Sequence, residues 1–339
     1  MTRMMIGAPD RHAAPTPYLA YLIAITSLTT AACTRPILGS GSEVRQPAPQ
    51  VALLELWSDP KDIAQRDLTW GSSRESTAPT KNEVYTVLAL DTTGYSRGYD
   101  AKGSDGREWD IKIGKEVQPE IVLSRILWAL GYHQPETYYV TGWQLTGTWD
   151  NEGEPARFRL QSDHESEGQW AWRENPFAGT RPLQGLVAIN LLLNNHDLKT
   201  SNNRVYRLSD AKAEPRRRYV VQDIGASLGK PRGFPYVRGT RNDIDDYEDL
   251  NLIRKVSGSQ VQLDYRGLHG DILERLSPAD VIWACELMNR LSDGQLDDAF
   301  AAADYPPDIR QRYIKKLRDK IREGLALRRV PEGRSEARE

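Results

Sequence analysis

Asn195-His196-Asp197-Leu198-Lys199-Thr200-Ser201-Asn202 follows directly on the apolar segment 186–193. An aspartate stands five residues before an asparagine, on a short polar stretch behind a buried-looking helix. Asp and Asn are ordinary turn formers, because their side chains bond back to nearby backbone. On one loop they also supply a proton acceptor and a hard oxygen ligand for a divalent cation. Two further segments flank this loop in a telling order. Upstream, Trp109-Asp110-Ile111-Lys112-Ile113 alternates and ends in Gly114, so it reads as a strand carrying a lysine. Downstream, Tyr219-Val220-Val221-Gln222-Asp223-Ile224-Gly225 is an apolar strand ending in Asp-Ile-Gly. A predicted hairpin, residues 204–208 and 218–222, separates the two polar motifs and returns the chain beside the loop.

This lysine, loop and Asp-Ile-Gly series resembles the protein kinases. It is most similar to the atypical branch of HipA-type, CotH-type and secretory-pathway kinases, over roughly residues 80–325. The resemblance implies an α+β, two-lobed protein-kinase-like fold, with a small antiparallel-sheet N-lobe and a helical C-lobe. It also implies ATP and Mg²⁺ as cofactors. Asp197 and Lys199 then take catalytic roles. Lys112 binds phosphate and is oriented by Glu120, with Glu116 as the alternative partner. Asn202 and Asp223 hold the metal, and Asn203 replaces Asn202 under a one-residue shift. The chain departs from the family at several points. It reads Asn-His-Asp where the ordinary kinases read His-Arg-Asp, and His196 is assigned packing rather than proton transfer. Gly94 and Gly98 form no Gly-x-Gly-x-x-Gly, and no Ala-Pro-Glu follows Asp223, so recognition of a protein acceptor has no support.

The amino terminus bears on location. Arg3 and Arg11 precede an apolar run, 18–28, and then Thr29-Thr30-Ala31-Ala32-Cys33. A basic start, a short apolar run and small residues describe a secretory signal. The end resembles a bacterial lipobox, with Thr30 in place of the usual aliphatic, and implies acylation of Cys33 and a membrane anchor. Plain cleavage near Ala32 and a buried N-terminal helix are the rival readings. The expected organisation is a signal peptide over 1–33, a tether over 34–60, a sheet-rich half over 61–148, a helical half over 149–329 and a tail over 330–339.

Within the sheet-rich half, strands are expected over 84–90, 97–102 and 107–113, and a helix opened by Pro119 ends at Gly131. Residues 149–179 show no clear period. Residues 51–57 are expected to form a short helix packing on the domain, folded structure is expected in earnest from about Val84, and the chain beyond the hairpin is expected to be mostly helical. Ser277-Pro278 opens one helix and 307–327 forms another. Cys285 falls with Val281 and Met288 at helical spacing and reads as a small buried hydrophobe. Nine tryptophans are present, several in loops, as core anchors or as a flat glycan-binding surface. A formal net charge of −2 with mixed signs gives no field for nucleic acid, so the expected partners are a nucleotide and an unknown acceptor (protein, lipid or glycan). Two functions follow. One is an exported phosphotransferase. The other is a catalytically inactive, kinase-shaped envelope lipoprotein acting as a binding module. A structural lipoprotein of unrelated fold is the third possibility.

Overall fold

The computed structural model describes residues 50–91, 95–147, 153–161, 164–209, 215–231, 239–257, 260–265 and 270–329. The signal segment with Cys33, tether residues 34–49, Gly94, Trp149 and the tail 330–339 lie outside them. A short helix, α1 (Gln50–Leu53), opens the described chain. Strands β1 (Val84–Asp91), β2 (Arg97–Lys102) and β3 (Glu108–Ile113) pair antiparallel in sequence order. β4 (Thr137–Val140) and β6 (Ala156–Leu160) extend the far side, and β5 (Gln144–Leu145) pairs parallel with β1. The order across the sheet is β4-β6-β3-β2-β1-β5.

Strand alternation divides the two faces. Trp109 and Ile111 of β3 join Tyr85, Tyr99, Tyr138 and Phe158 in an apolar core. Asp110 and Lys112 project from the opposite face. Strand β6 corrects the sequence reading. It lies in the stretch 149–179 that showed no period, and it carries the sheet past the residue-148 boundary. Its Ala156-Arg157-Phe158-Arg159-Leu160 alternation puts Phe158 into the core and both arginines on the Lys112 face.

Helix α2 (Val117–Ala129) joins β3 to β4. It ends at Gly131, whose φ of +95° is the left-handed conformation favoured past a helix C-terminus. The segment before β1 docks on this end. Trp57 Nε1 donates to the Leu130 carbonyl at 2.8 Å, and Leu56, Ile63 and Leu68 are buried. Ordered structure therefore begins by Gln50. The tether does not run to residue 60 and folding does not wait for Val84, because these apolar side chains have a surface to cover.

Helix α3 (Arg181–Leu192), capped by Thr180, is buried along most of its length. The hairpin β8 (Asn203–Arg207) and β9 (Arg217–Val221) follows the polar loop, and β7 (Glu165–Gly168) adds a third strand. A short helix, α4 (Ile244–Glu248), leads to a second hairpin, β10 (Ile253–Ser257) and β11 (Gln260–Leu263), which helical periodicity did not anticipate. Helices α5 (Pro278–Asn289), α6 (Asp293–Ala301) and α7 (Pro307–Leu325) complete the chain. Ser277 and Asp280 form the reciprocal cap that Ser-Pro at a helix start foretells. Cys285 is fully buried, and burial pushes its thiol up to about 12. Trp109, Trp143, Trp170 and Trp172 are buried as well and act as core anchors. The result is the α+β, kinase-like order read from the sequence: a small, mainly antiparallel sheet with one helix, then a helical half around the β8–β9 hairpin.

Candidate active site

Lys112 stands on the charged face of β3, and three carboxylates surround its ammonium. Glu120 Oε2 of α2 lies 2.9 Å away and Glu116 Oε2 3.6 Å away, and Asp223 Oδ1 is in direct contact. Glu120 is therefore the nearer helix partner. Burial opposes the Lys112 charge, but Glu120 and then Asp223 outweigh it, so the ammonium is held well above the ordinary lysine range. The same balance acts on Asp223. Burial disfavours its anion, Lys112 more than offsets this, and the carboxyl is lowered to about 2. The Asp223 side chain remains 44% exposed, so an ionised oxygen faces the opening.

The loop and Asp223 are joined through backbone. The Asn202 carbonyl accepts from the N–H of Gln222 at 3.0 Å and of Asp223 at 3.4 Å. Within the loop, Asn202 Nδ2 donates to the Asp197 carbonyl at 2.7 Å. Lys199 Nζ reaches Asp197 Oδ1 at 2.8 Å. Contacts thus run unbroken from Glu120 through Lys112, Asp223 and Asn202 to Asp197 and Lys199, and all six predicted residues of the site belong to one chain of contacts. Asn203 is excluded as a substitute for Asn202. It is fully buried, and its amide donates to the Trp170 carbonyl at 2.9 Å.

Sequence reasoning missed most of the charge around this site. Arg157 Nε lies 3.0 Å from Glu120 Oε1, and Arg159 Nη1 lies 3.6 Å from the same oxygen. Asp110 bridges both arginines. Arg241, far along the chain, pairs with Glu116 Oε1 at 2.6 Å and lies over the Tyr95 ring at 4.0 Å. Ser96 Oγ donates to Glu116 Oε2 at 3.0 Å. The four cations (Lys112, Arg157, Arg159, Arg241) equal the four carboxylates (Asp110, Glu116, Glu120, Asp223), as burial of charge requires. Only the Arg-Phe-Arg alternation of β6 advertised any of this.

The donor set fits Mg²⁺. No group of three or more His, Cys, Asp or Glu side chains able to hold a metal occurs among the described residues. Mg²⁺ asks for less, since it takes one or two protein oxygens and completes its shell with phosphate and water. The bond from Asn202 Nδ2 to the Asp197 carbonyl fixes that amide, its oxygen accepts only a long bond of 3.5 Å from Ser201 Oγ, and Asp223 supplies the anionic oxygen.

Two residues, Gly225 and His196, support the loop without reacting. Gly225 has no room for a side chain, since an added Cβ would stand 2.5 Å from the Glu116 carbonyl oxygen. Gly225→Ala should therefore displace Asp223 from Lys112 and weaken Mg²⁺-nucleotide binding at least tenfold by calorimetry (about 1.4 kcal/mol). Affinity equal to wild type would mean that the α2 start yields freely. His196 is buried, and burial, then Arg241, lower its pKa from 6.5 to about 4. The folded state keeps it neutral while the unfolded chain protonates it. Its stabilising contribution is thus complete above pH 6.5 and is lost as pH falls from there toward 4. His196→Gln should flatten the stability-versus-pH slope across that window, as followed by urea unfolding at several pH values. An unaltered slope would place the titration elsewhere.

No protein-family model matches the chain, and no curated protein matches it in sequence. Among solved structures it is similar to the crystal structure of a Helicobacter pylori proinflammatory kinase, CtkA. The match has 13% identity and a TM-score of 0.44, and covers 73% of this chain and 99% of that one.

Proposed function

We propose that this chain is a kinase-like phosphotransferase that uses ATP and Mg²⁺ on an acceptor of unknown class, exported and anchored through Cys33 as an envelope lipoprotein. The observation that carries the catalytic part is the position of Lys112, 2.9 Å from Glu120 and in contact with an Asp223 whose N–H bonds the loop carrying Asp197 and Asn202. Bound ATP and Mg²⁺ would supply the transferable phosphoryl group and neutralise the charge that grows on it. Lys112 binds phosphate oxygens, held in place by Glu120. Asn202 and Asp223 hold the metal. Asp197 orients the incoming hydroxyl and accepts its proton, and Lys199 holds that carboxylate in position. Positioning and charge do nearly all the work in this reaction class.

Incubation with γ-labelled and α-labelled ATP in Mg²⁺ tests the reading. Label should pass to an acceptor, or to the chain itself, from the γ position only. Transfer from the α position would mean nucleotidyl transfer instead. No transfer, with nucleotide still bound, would favour the binding module. That second reading draws on one observation: Lys199 already occupies the Asp197 carboxylate.

The anchor has its own test. No helix among the described residues is long and apolar enough to cross a membrane, and under the anchor reading membrane retention depends on Cys33. Cys33→Ala should move the protein to the soluble fraction, and unchanged retention would remove the lipid anchor from the proposal.

A further inference from the structure

Helix α7 carries a buried amine that the site does not use. Tyr313, Leu317 and Ile321 lie on its inward face, and Lys320 lies among them at 1% exposure. Arg310, Arg312 and Arg318 of the same helix pair with carboxylates, whereas Lys320 pairs with none among the described residues. Burial, and then Lys316, hold its ammonium well below the ordinary lysine range, against a weaker pull from Glu323 and Asp264. A buried cation without a counter-ion is costly, and a methionine of similar length would fill the space without that cost. Packing therefore does not account for the lysine.

Its contacts do. Lys320 Nζ donates to Asn194 Oδ1 at 2.6 Å and to the Leu192 carbonyl at 3.4 Å, and lies 4.2 Å from the centre of the Tyr247 ring. Asn194 opens the turn between α3 and the polar loop. Its φ of +54° is left-handed, and its Nδ2 donates to the Gly229 carbonyl at 2.6 Å. With Nδ2 so engaged, Oδ1 needs a donor, and Lys320 supplies it. Across this junction Leu228 has a φ of +53°, which is strained for a bulky side chain. The Leu228 N–H bonds the Leu193 carbonyl at 3.0 Å, and the His196 N–H bonds the Ala226 carbonyl at 3.1 Å. These ties set the loop that carries Asp197 against the segment that follows Asp223. Asn195 passes the register on, since its Oδ1 accepts from the Asp197 N–H at 3.1 Å. Strained backbone persists only where its surroundings over-determine it. Here α7 holds both left-handed residues, Asn194 through Lys320 and Leu228 through the Tyr313 hydroxyl, which donates to the Leu228 carbonyl at 3.1 Å.

Building on the phosphotransferase reading above, we propose that Lys320 is a positioning residue for phosphoryl transfer. It is buried and acts only through Asn194. By fixing that amide it keeps the Asp197 loop in register with Asp223.

Turnover of γ-labelled ATP in Mg²⁺, counting label passed to water and to the chain itself, tests this, with ATP affinity followed by calorimetry. Lys320→Met should lower kcat about tenfold or more, because small misplacements of a catalytic group are costly in rate. ATP affinity should stay within about twofold of wild type, since Lys112, Asn202 and Asp223 are untouched. The urea midpoint should stay near that of wild type, because removal of the buried charge offsets the lost hydrogen bond. Wild-type kcat overturns the inference and leaves the phosphotransferase reading intact. A joint fall in kcat, affinity and midpoint makes Lys320 a structural residue only, and overturns it too. Asn194→Gly is the second variant and keeps Lys320. Glycine accepts a positive φ, so the turn survives while the amide is lost, and kcat should fall as in Lys320→Met. Wild-type kcat in Asn194→Gly overturns the inference whether or not Lys320→Met folds. The two changes together should cost no more than either alone, and losses that multiply overturn the action through Asn194. Absence of turnover in the wild-type protein removes the phosphotransferase reading, and the inference with it.

Discussion

Glu120→Gln should cost the protein about 3–5 kcal/mol of stability, the loss typical of breaking a buried ion pair by removing one partner. Glu120 is 1% exposed, and its two oxygens serve Lys112 at 2.9 Å, Arg157 at 3.0 Å and Arg159 at 3.6 Å. The amide keeps the volume and removes only the charge. Four cations then share three remaining carboxylates, Asp110, Glu116 and Asp223. Such a loss is a large fraction of the roughly 5–15 kcal/mol that holds a domain together. Urea unfolding with the slope held in common measures it. A midpoint near that of wild type would show that the arginines find other partners. Adding Arg157→Gln should recover part of the loss, because it restores the count of charges.

Asp223→Ala and Asp197→Ala should fail in different ways. Asp223 has an ionised, half-exposed oxygen beside Lys112, so its removal should abolish Mg²⁺-dependent nucleotide binding. Asp197 touches Lys199 and the Asn202 amide, away from the Lys112 contact. Its removal should leave binding nearly intact and reduce turnover by about 10²-fold or more, as for loss of a general base. Calorimetry on both variants, with turnover on the second, separates these outcomes. Equal and undiminished binding in both would mean that neither residue reaches a metal, and the binding module would become the better account.

How much of this was legible depended on whether the signal was local. Strands β1 to β3, the α2 and α3 boundaries, the β8–β9 hairpin and the Ser277 cap all follow from alternation, periodicity and turn or cap chemistry within a dozen residues. The six candidate residues that the structure links by contacts could be named for the same reason, since each sits in a local pattern. Strand β6 was hidden because it is only five residues long and lies in a polar stretch, so its Arg-Phe-Arg period was lost among unrelated charges. The Arg241–Glu116 pair was beyond reach, because it joins positions 125 residues apart and neither side chain carries a local cue. The start of folding was misplaced for a related reason. Leu56 falls in the segment expected to pack as a short helix, but Ile63 and Leu68 are too scattered to form a pattern, and only the surface they cover explains their burial.

Helix α2 belongs to both halves of the molecule. Its apolar residues Ile121, Val122, Ile126 and Leu127 are part of the helical core, while Glu120 neutralises the cations of the sheet. Neither half is complete without it. The helix cannot swing away from the helical core to switch the site off without exposing four buried apolar side chains, so an on–off motion of α2 is costly here. The same sharing predicts melting behaviour. The described residues fall in one compact unit, and calorimetry should record a single cooperative endotherm in which sheet and helices are lost together. A fragment that ends before Val117 would lack α2, β4 and β6 and leave Lys112 without Glu120, and should not fold.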